Sequence, residues 1–335
     1  MATLLLSRDD VSALLTMEDA LKIVGTVYRS HGTGDAAVPT KILLDVSRAG
    51  EAGSFKAMSA YLPDLDVAGI KFIGAFPHNP SRNLPYLSAV IVLSDPKNGL
   101  PLAVMDGLAI TAARTGAAAA ITAKFLKPGM ETLAVIGTGF AGRAVVQAFD
   151  LAHTLTEVRI HDASEAAVER TVAHFKDKIQ TPIRVFATAT ACVENADVVV
   201  TATHADEPLF AERALAPGAL FIPLGSHREF DPDMILRASY LVVDHIEQSK
   251  NRPFLVPHFE TGGLSDSDLC EIGTVVAGAS PSPDAGDGFG IAVLTGVVSL
   301  DIALAERVFS KAEDRGLGTS FSFCLPEEEG SKVRV

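Results

Sequence analysis

The first 110 residues carry short apolar runs of β type behind one amphipathic helix. Thr16, followed by Glu18 and Asp19, is placed to cap that helix, and Ala20, Leu21, Ile23, Val24, Val27 and Tyr28 recur on its apolar side. Strands are expected over 41–46, 54–61 and 69–75, with a further pair over 87–93 and 100–105. The last two flank Asp95-Pro96-Lys97-Asn98-Gly99, where Asn-Gly supplies the positive φ of a tight hairpin. An alanine-rich helix over about 109–126 follows, its small side chains suited to a close approach of neighbouring backbone.

Past Lys127-Pro128-Gly129 the pattern changes. Apolar runs at 132–136, 158–160, 183–186, 198–202, 220–224 and 241–243 alternate with helical segments, of which 140–152 and 164–176 are the clearest. Strand and helix in alternation imply a parallel, doubly wound sheet. The fold class is therefore α/β, a Rossmann-type sheet over 127–296 preceded by an α+β domain over 1–126. A last helix over about 297–313 is expected to return the chain to the first domain, so that 297–335 belongs with it. Residues 279–288, rich in Pro, Asp, Gly and Ser, read as an exposed loop, and Glu327-Glu328-Glu329 as a solvated end.

Gly137-Thr138-Gly139-Phe140-Ala141-Gly142 follows the strand at 132–136 and opens the helix at 140–152. In that setting Gly137 makes the tight turn, Gly139 lets a pyrophosphate approach the backbone, and Gly142 lets the helix pack on the strand. Phe140 and Ala141 begin the helix, whose free N–H groups face the phosphates. Asp162 lies 20 residues after Gly142, at the end of the next strand. There it accepts the ribose hydroxyls of NAD and repels the 2′-phosphate of NADP, or else it simply opens a helix in Asp162-Ala163-Ser164. NAD is the expected cofactor. Arg159 and His161 nearby leave some tolerance of NADP open.

Charge narrows the partners. Twenty-eight Lys and Arg stand against 41 Asp and Glu, a formal net charge of −13 that repels nucleic-acid phosphate and anionic membrane surfaces. The first charged residue, Arg8, is followed at once by Asp9 and Asp10, unlike a signal peptide. The most apolar long uncharged stretch, 288–300, has only 13 residues against the roughly 20 a spanning helix takes. Cys192, Cys270 and Cys324 form neither a disulfide framework nor a CxxC metal pair. A cytoplasmic chain acting on a small molecule is expected.

Two cations stand out. Lys71, between Ile70 and Phe72, is either an edge lysine reaching solvent or a partly buried amine able to bind a carboxylate or move a proton. Arg114 lies in the alanine-rich helix with no acidic residue at i±3 or i±4, so its guanidinium is either exposed or set to receive a ligand anion.

Gly69-Ile70-Lys71, Asn79-Pro80 with Asn83-Leu84-Pro85, the stretch from Asp95 to Asp106-Gly107, Thr111-Ala112-Ala113-Arg114-Thr115 and the glycine turn follow one another in this order. Together they resemble the ornithine cyclodeaminase/μ-crystallin family over most of the chain, most strongly from about 67 to 142. The hairpin is closest to the alanine dehydrogenase branch. The resemblance implies that Lys71 contacts the substrate carboxylate and assists proton transfer, that Arg114 binds the carboxylate, and that Thr115 approaches the cofactor. It puts Lys41 where many members have arginine, keeping the charge without the bidentate fork. It also implies a homodimer built through the first domain, whose small sheet leaves edges and an apolar face to cover.

One departure bears on the reaction. Cyclodeaminases have an aspartate after the glycines corresponding to Gly225, and here that place is most nearly His227, in a shortened loop. His227 is then either an acid or base near neutral pH or a histidine of the cofactor-side loop, beside Ser226. Thr203, in Thr201-Ala202-Thr203-His204, ends a strand near the nicotinamide. The expected activity is hydride transfer between NAD and the α-carbon of a small amino acid or cyclic imino acid, as in an alanine dehydrogenase or ketimine reductase. The alternatives are a cyclodeaminase that recycles NAD and a binding protein without turnover.

Overall fold

The computed structural model describes residues 2–34, 37–48, 51–225 and 228–323. Backbone contacts divide the chain into two units, one of Met1–Leu15, Ala37–Ile110 and Asp301–Val335, the other of Thr16–Ala36 and Thr111–Leu300. This division differs from a boundary at 126/127, because the helix after Thr16 and most of the alanine-rich helix pack with the second unit. No helix among the described residues is long and apolar enough to cross a membrane.

The first unit holds a seven-stranded sheet. Its strands are β1 (Thr3–Leu6), β2 (Ile42–Asp45), β3 (Ser54–Leu62), β4 (Val67–Ala75), β5 (Leu87–Ser94), β6 (Pro101–Asp106) and a last strand Thr319–Phe321. In space the order is last strand, β1, β6, β5, β4, β3, β2, so β4 is an interior strand. Only β1 and β6 run parallel. The Asn98-Gly99 turn between β5 and β6 has Gly99 at φ +75°. β1 and the helix α1 (Arg8–Leu14), opened by a Ser7–Asp10 capping box, were not expected from the apolar pattern.

Side chains alternate between the faces of this sheet, and the two faces differ. Met58, Ala60, Leu62, Val67, Lys71, Ile91, Leu93, Ala103 and Met105 are buried on one. The helix Val298–Arg315 covers that side, and a Cβ at Gly69 would come within 2.7 Å of the Cδ1 of Ile302. The other face exposes Ile42, Leu44, Ile70, Phe72 and Val90, with Phe72 at 47% and Ile42 at 69% of full exposure.

The second unit is the expected parallel sheet. Helices α2 (Met17–Thr33) and α3 (Leu108–Leu126) precede β7 (Thr132–Ile136), α4 (Phe140–Ala152), β8 (Glu157–His161), α5 (Glu165–Phe175) and β9 (Ile183–Val185). Then come β10 (Val198–Thr201), β11 (Ala219–Pro223), β12 (Tyr240–Val243), β13 (Leu269–Glu271) and β14 (Phe289–Val293). Their order in space is β13-β12-β14-β11-β10-β7-β8-β9, all parallel. From β7 the chain winds outward through β8 and β9, then returns to β10 on the other side. The switch point of the sheet therefore lies between β7 and β10, where open α/β sheets bind ligands. β14 comes late in the sequence yet lies between β11 and β12, buried on both faces, so it shows no alternation that marks it as a strand.

The close approach expected of the alanine-rich helix is made at Gly116. A Cβ there would lie 2.5 Å from the carbonyl carbon of Ala144, which fixes α3 against α4. Gly116→Ala gains about 1 kcal/mol of helix propensity but forces backbone apart at a cost of about 1–3 kcal/mol. The net effect is expected to be loss of stability in urea unfolding; a more stable variant would mean that α3 and α4 can slide apart freely.

Candidate functional site

The glycine turn has the geometry of an anion cradle. Gly137 adopts φ +94°, its N–H donates to the His161 carbonyl at 2.9 Å, and a Cβ on it would press on the Ala202 carbonyl oxygen at 2.5 Å. Gly142 packs directly on the Gly137 carbonyl. At Gly139 a Cβ would meet nothing within 4 Å, so the space above the turn is open. Gly139 is also the N-cap of α4 and offers no side-chain cap, so the helix presents its first amides and its positive dipole end to that space. A pyrophosphate fits the residues present. Phe140 is exposed and Ala141 half-buried at the start of α4.

Asp162 closes the turn from β8. Its Oδ2 accepts from the Thr138 amide at 2.7 Å and the Thr138 hydroxyl at 3.1 Å, while Oδ1 accepts from the Ser164 amide at 2.9 Å. The carboxylate thus organises the glycine turn and the start of α5, and Oδ1 retains acceptor capacity. The Thr138 amide is directed to Asp162 and is not among the donors facing the open space.

Two further carboxylates sit at the carboxyl ends of the strands, and neither was singled out in the sequence. Glu229, fully buried, accepts at Oε1 from the Thr203 amide at 2.6 Å and hydroxyl at 2.7 Å. Its Oε2 accepts from the Thr201 hydroxyl at 3.1 Å and the Gly225 amide at 3.2 Å. Asp244, just after β12, accepts at Oδ1 from the Thr295 amide at 2.9 Å and hydroxyl at 2.7 Å, and at Oδ2 from the Gly296 amide at 2.7 Å. For Asp244 the available signal was an acid at the end of an apolar run, which in a parallel sheet is where ligands bind; Glu229, six residues past β11, carried no such signal.

Arg114 lies against the turn that Asp244 holds. A Cβ at Gly296, itself at φ +78°, would come within 3.0 Å of the Arg114 Cζ. Buried Arg252 donates through Nη2 to the Leu294 carbonyl at 2.5 Å. Burial pulls its pKa below the ordinary guanidinium value, with Asp244 opposing and Arg114 adding to the shift. Burial and then the Asp244 charge push the Tyr28 phenol well up, whereas burial and then His245 lower the pKa of His31, whose Nε2 meets Ser299 Oγ at 2.8 Å. Thr115 is half-buried and donates its hydroxyl to the Thr111 carbonyl at 2.7 Å, one turn back along α3.

In the first unit Lys71 is not an edge lysine. It lies on interior β4 between Met58 of β3 and Ile91 of β5, with no solvent exposure. Its Nζ donates to Asp301 Oδ1 at 2.6 Å, and both side chains are wholly buried. Lys41 is half-buried just before β2. Ser226 and His227 lie outside the described residues.

Comparison with known proteins supplies context for this arrangement. The family model described as ornithine cyclodeaminase/mu-crystallin matches residues 1–316. An alanine dehydrogenase of Archaeoglobus fulgidus is 30% identical over 330 residues, covering 96% of this chain and 99% of its own. An archaeal alanine dehydrogenase dimer with bound NAD superposes with a TM-score of 0.88 at 29% identity, over 97% of this chain and 100% of that one. The Δ1-pyrroline-2-carboxylate reductase of Thermococcus litoralis, in complex with NADH and L-proline, also gives 0.88, at 26% identity over 95% and 99% of the two chains.

The buried ion pair makes a direct stability prediction. Asp301→Ala strands the Lys71 charge in the core and is expected to cost about 3–5 kcal/mol in urea unfolding. The double variant Lys71→Met with Asp301→Leu removes both charges and is expected to recover most of that loss. Additive losses in the double variant would show that the two residues do not act as a pair.

Proposed function

Since the chain belongs to the ornithine cyclodeaminase/mu-crystallin family, we propose that it is a cytoplasmic NAD-dependent oxidoreductase acting at the α-carbon of a small amino acid or cyclic imino acid. The observation that carries this reading is the glycine turn, with open space over Gly139, an uncapped α4 and Asp162 across from it. The amides of Gly139, Phe140 and Ala141 hold the pyrophosphate, and Asp162 holds the adenosine ribose. Thr115, Thr203 and Ser226 border the rest of the dinucleotide. The bound nicotinamide supplies or takes the hydride; the protein's work is to orient the substrate and to handle charge and proton.

The substrate is a carboxylate, and its partners in this reading are cations. Arg114 takes it through a bidentate fork, and Lys41 adds a point charge. Lys71, buried on Asp301 in the free chain, is assigned the carboxylate and the proton that accompanies hydride transfer, which requires that substrate entry uncover Nζ while Asp301 fixes where it sits. His227 is the further acid or base. These roles follow from residue chemistry and from the family, and each is open to substitution.

The first test is an assay of NADH or NADPH with keto acids plus ammonia and with cyclic imino acids, and of NAD with amino acids. Net oxidation of NADH, with kcat/KM higher than for NADPH, is expected. Ammonia release without net change in NADH would make the protein a lyase, and tight ligand binding without turnover would make it a binding protein.

Lys71→Met together with Asp301→Leu, the pair that keeps the core neutral, is expected to lower kcat about 100-fold or more while cofactor binding persists. A near-normal kcat would remove Lys71 from the chemistry. We also propose a homodimer joined through the apolar face of the first unit's sheet, where Phe72 and Ile42 are exposed. Light scattering is expected to give a dimer at micromolar concentration and a monomer for Phe72→Glu; a monomeric parent protein would sink the assignment.

A further inference from the structure

We infer that Glu229 is the positioning residue for the nicotinamide half of the dinucleotide site. The inference rests on the dinucleotide reading above and assigns a part of it to a side chain that touches no ligand itself.

A buried carboxylate is costly unless its charge is fully answered by donors. Glu229 has four of them, two on each oxygen, and they come from two adjacent strand ends: Thr201 at the end of β10 and Thr203 just after it, and Gly225 after β11. The carboxylate therefore ties the chain around Thr203 to Gly225 just beyond the last backbone bond between the two strands, which the Leu224 amide makes to the Thr201 carbonyl. Gly225 is part of the arrangement, because a Cβ there would occupy the place of the Glu229 carboxylate.

The residue is itself held. Its carbonyl accepts from the Leu209 amide at 2.9 Å. The next residue, Phe230, is buried between Phe221 and Phe254, with ring centroids at 5.2 Å and 5.1 Å. A carboxylate anchored on both sides transmits its position to the loops it binds, rather than following them.

The location gives the function. Thr203 lies at the switch point, where a Cβ on Gly137 would come within 2.8 Å of the Thr203 Cγ2. Asp162 on β8 marks the adenosine side of the glycine turn, so the loops after β10 and β11 border the other half of the dinucleotide. Glu229 sets where Thr203 and Gly225 stand on that side. Glutamine has the same shape, but its amide nitrogen cannot accept, so Glu229→Gln abandons the donors on one oxygen whichever way the amide turns.

The test separates the two halves of the site by using NADH, titrated by fluorescence, and ADP, titrated by calorimetry, on the full chain below its melting temperature. For Glu229→Gln the Kd of NADH is expected to rise about tenfold or more, the scale of losing charge-assisted hydrogen bonds. The Kd of ADP is expected to change less than about twofold, since the adenosine side shares no partner with Glu229. Equal weakening of both ligands, or of neither, would overturn the assignment while leaving the dinucleotide reading intact. If the parent protein bound neither NADH nor ADP, that reading would fall, and this inference with it. Should Glu229→Gln fail to fold, Thr201→Val decides: it removes one donor with little change of volume. A rise of about threefold in the Kd of NADH alone supports the assignment, and an unchanged Kd overturns it.

Discussion

In the parallel sheet of the second unit, loops leave the carboxyl ends of the strands with amides that no ladder satisfies, and three carboxylates meet that need. Asp162 accepts from the amides of Thr138 and Ser164, Glu229 from those of Thr203 and Gly225, and Asp244 from those of Thr295 and Gly296. Each carboxylate adds a side-chain tie between backbone segments that follow different strands, beyond the backbone bonds that already join some of them, such as the Gly137 amide to the His161 carbonyl. The edge of the sheet where a ligand binds is thereby fixed before any ligand arrives, which lowers the ordering cost of binding. Buried backbone donors left without partners would cost about 1–3 kcal/mol each, so these acids are part of the fold as much as of the site.

The first unit solves a different problem with a single pair. Its sheet is apolar on both faces, but the described residues cover only one of them, and on that face a charged lysine lies among Met58, Ile91 and Met105. Asp301 makes the charge tolerable. Methionine or leucine would fill the same space more cheaply, so a paired charge in that position is poor value as a stabiliser. The reaction proposed for the chain gives the pair another use, an ammonium held in one place for a carboxylate and a proton.

What the sequence disclosed was local. The Thr16 cap, the Asn98-Gly99 hairpin and the glycine turn depend on residues within a few positions of one another, and the structure places all of them as the spacing requires. The burial of Lys71 was open because it depends on whether β4 is an edge or an interior strand, which is decided by its pairing with Met58 and Ile91, 13 and 20 residues away. β14 escaped notice because Gly290 interrupts its apolar run and no turn residue parts it from Leu294, whereas β10 and β11, also buried on both faces, read as unbroken apolar runs. Glu229 was invisible because its donors arrive from other strand ends, and an acid in a loop looks the same whether it is solvated or fully bonded.

The charge of the chain has to be weighed against the charge of its site. A net −13 acts at long range and is screened beyond about 10 Å in ordinary salt. It therefore says which surfaces the protein avoids, and little about what one pocket accepts. Within the second unit the negative charges of Asp244 and Glu229 oppose the pull of burial on Arg252, and in the first Lys71 pairs with Asp301, so buried positive charge is met by buried negative charge in each. Balanced groups project little field. They act at contact, through hydrogen bonds whose direction is already fixed, and a carboxylate or pyrophosphate is selected by fit to those donors and not by attraction from a distance. An acidic protein can then serve anionic ligands without contradiction, because selection takes place over the few ångströms where its carboxylates have already set the geometry.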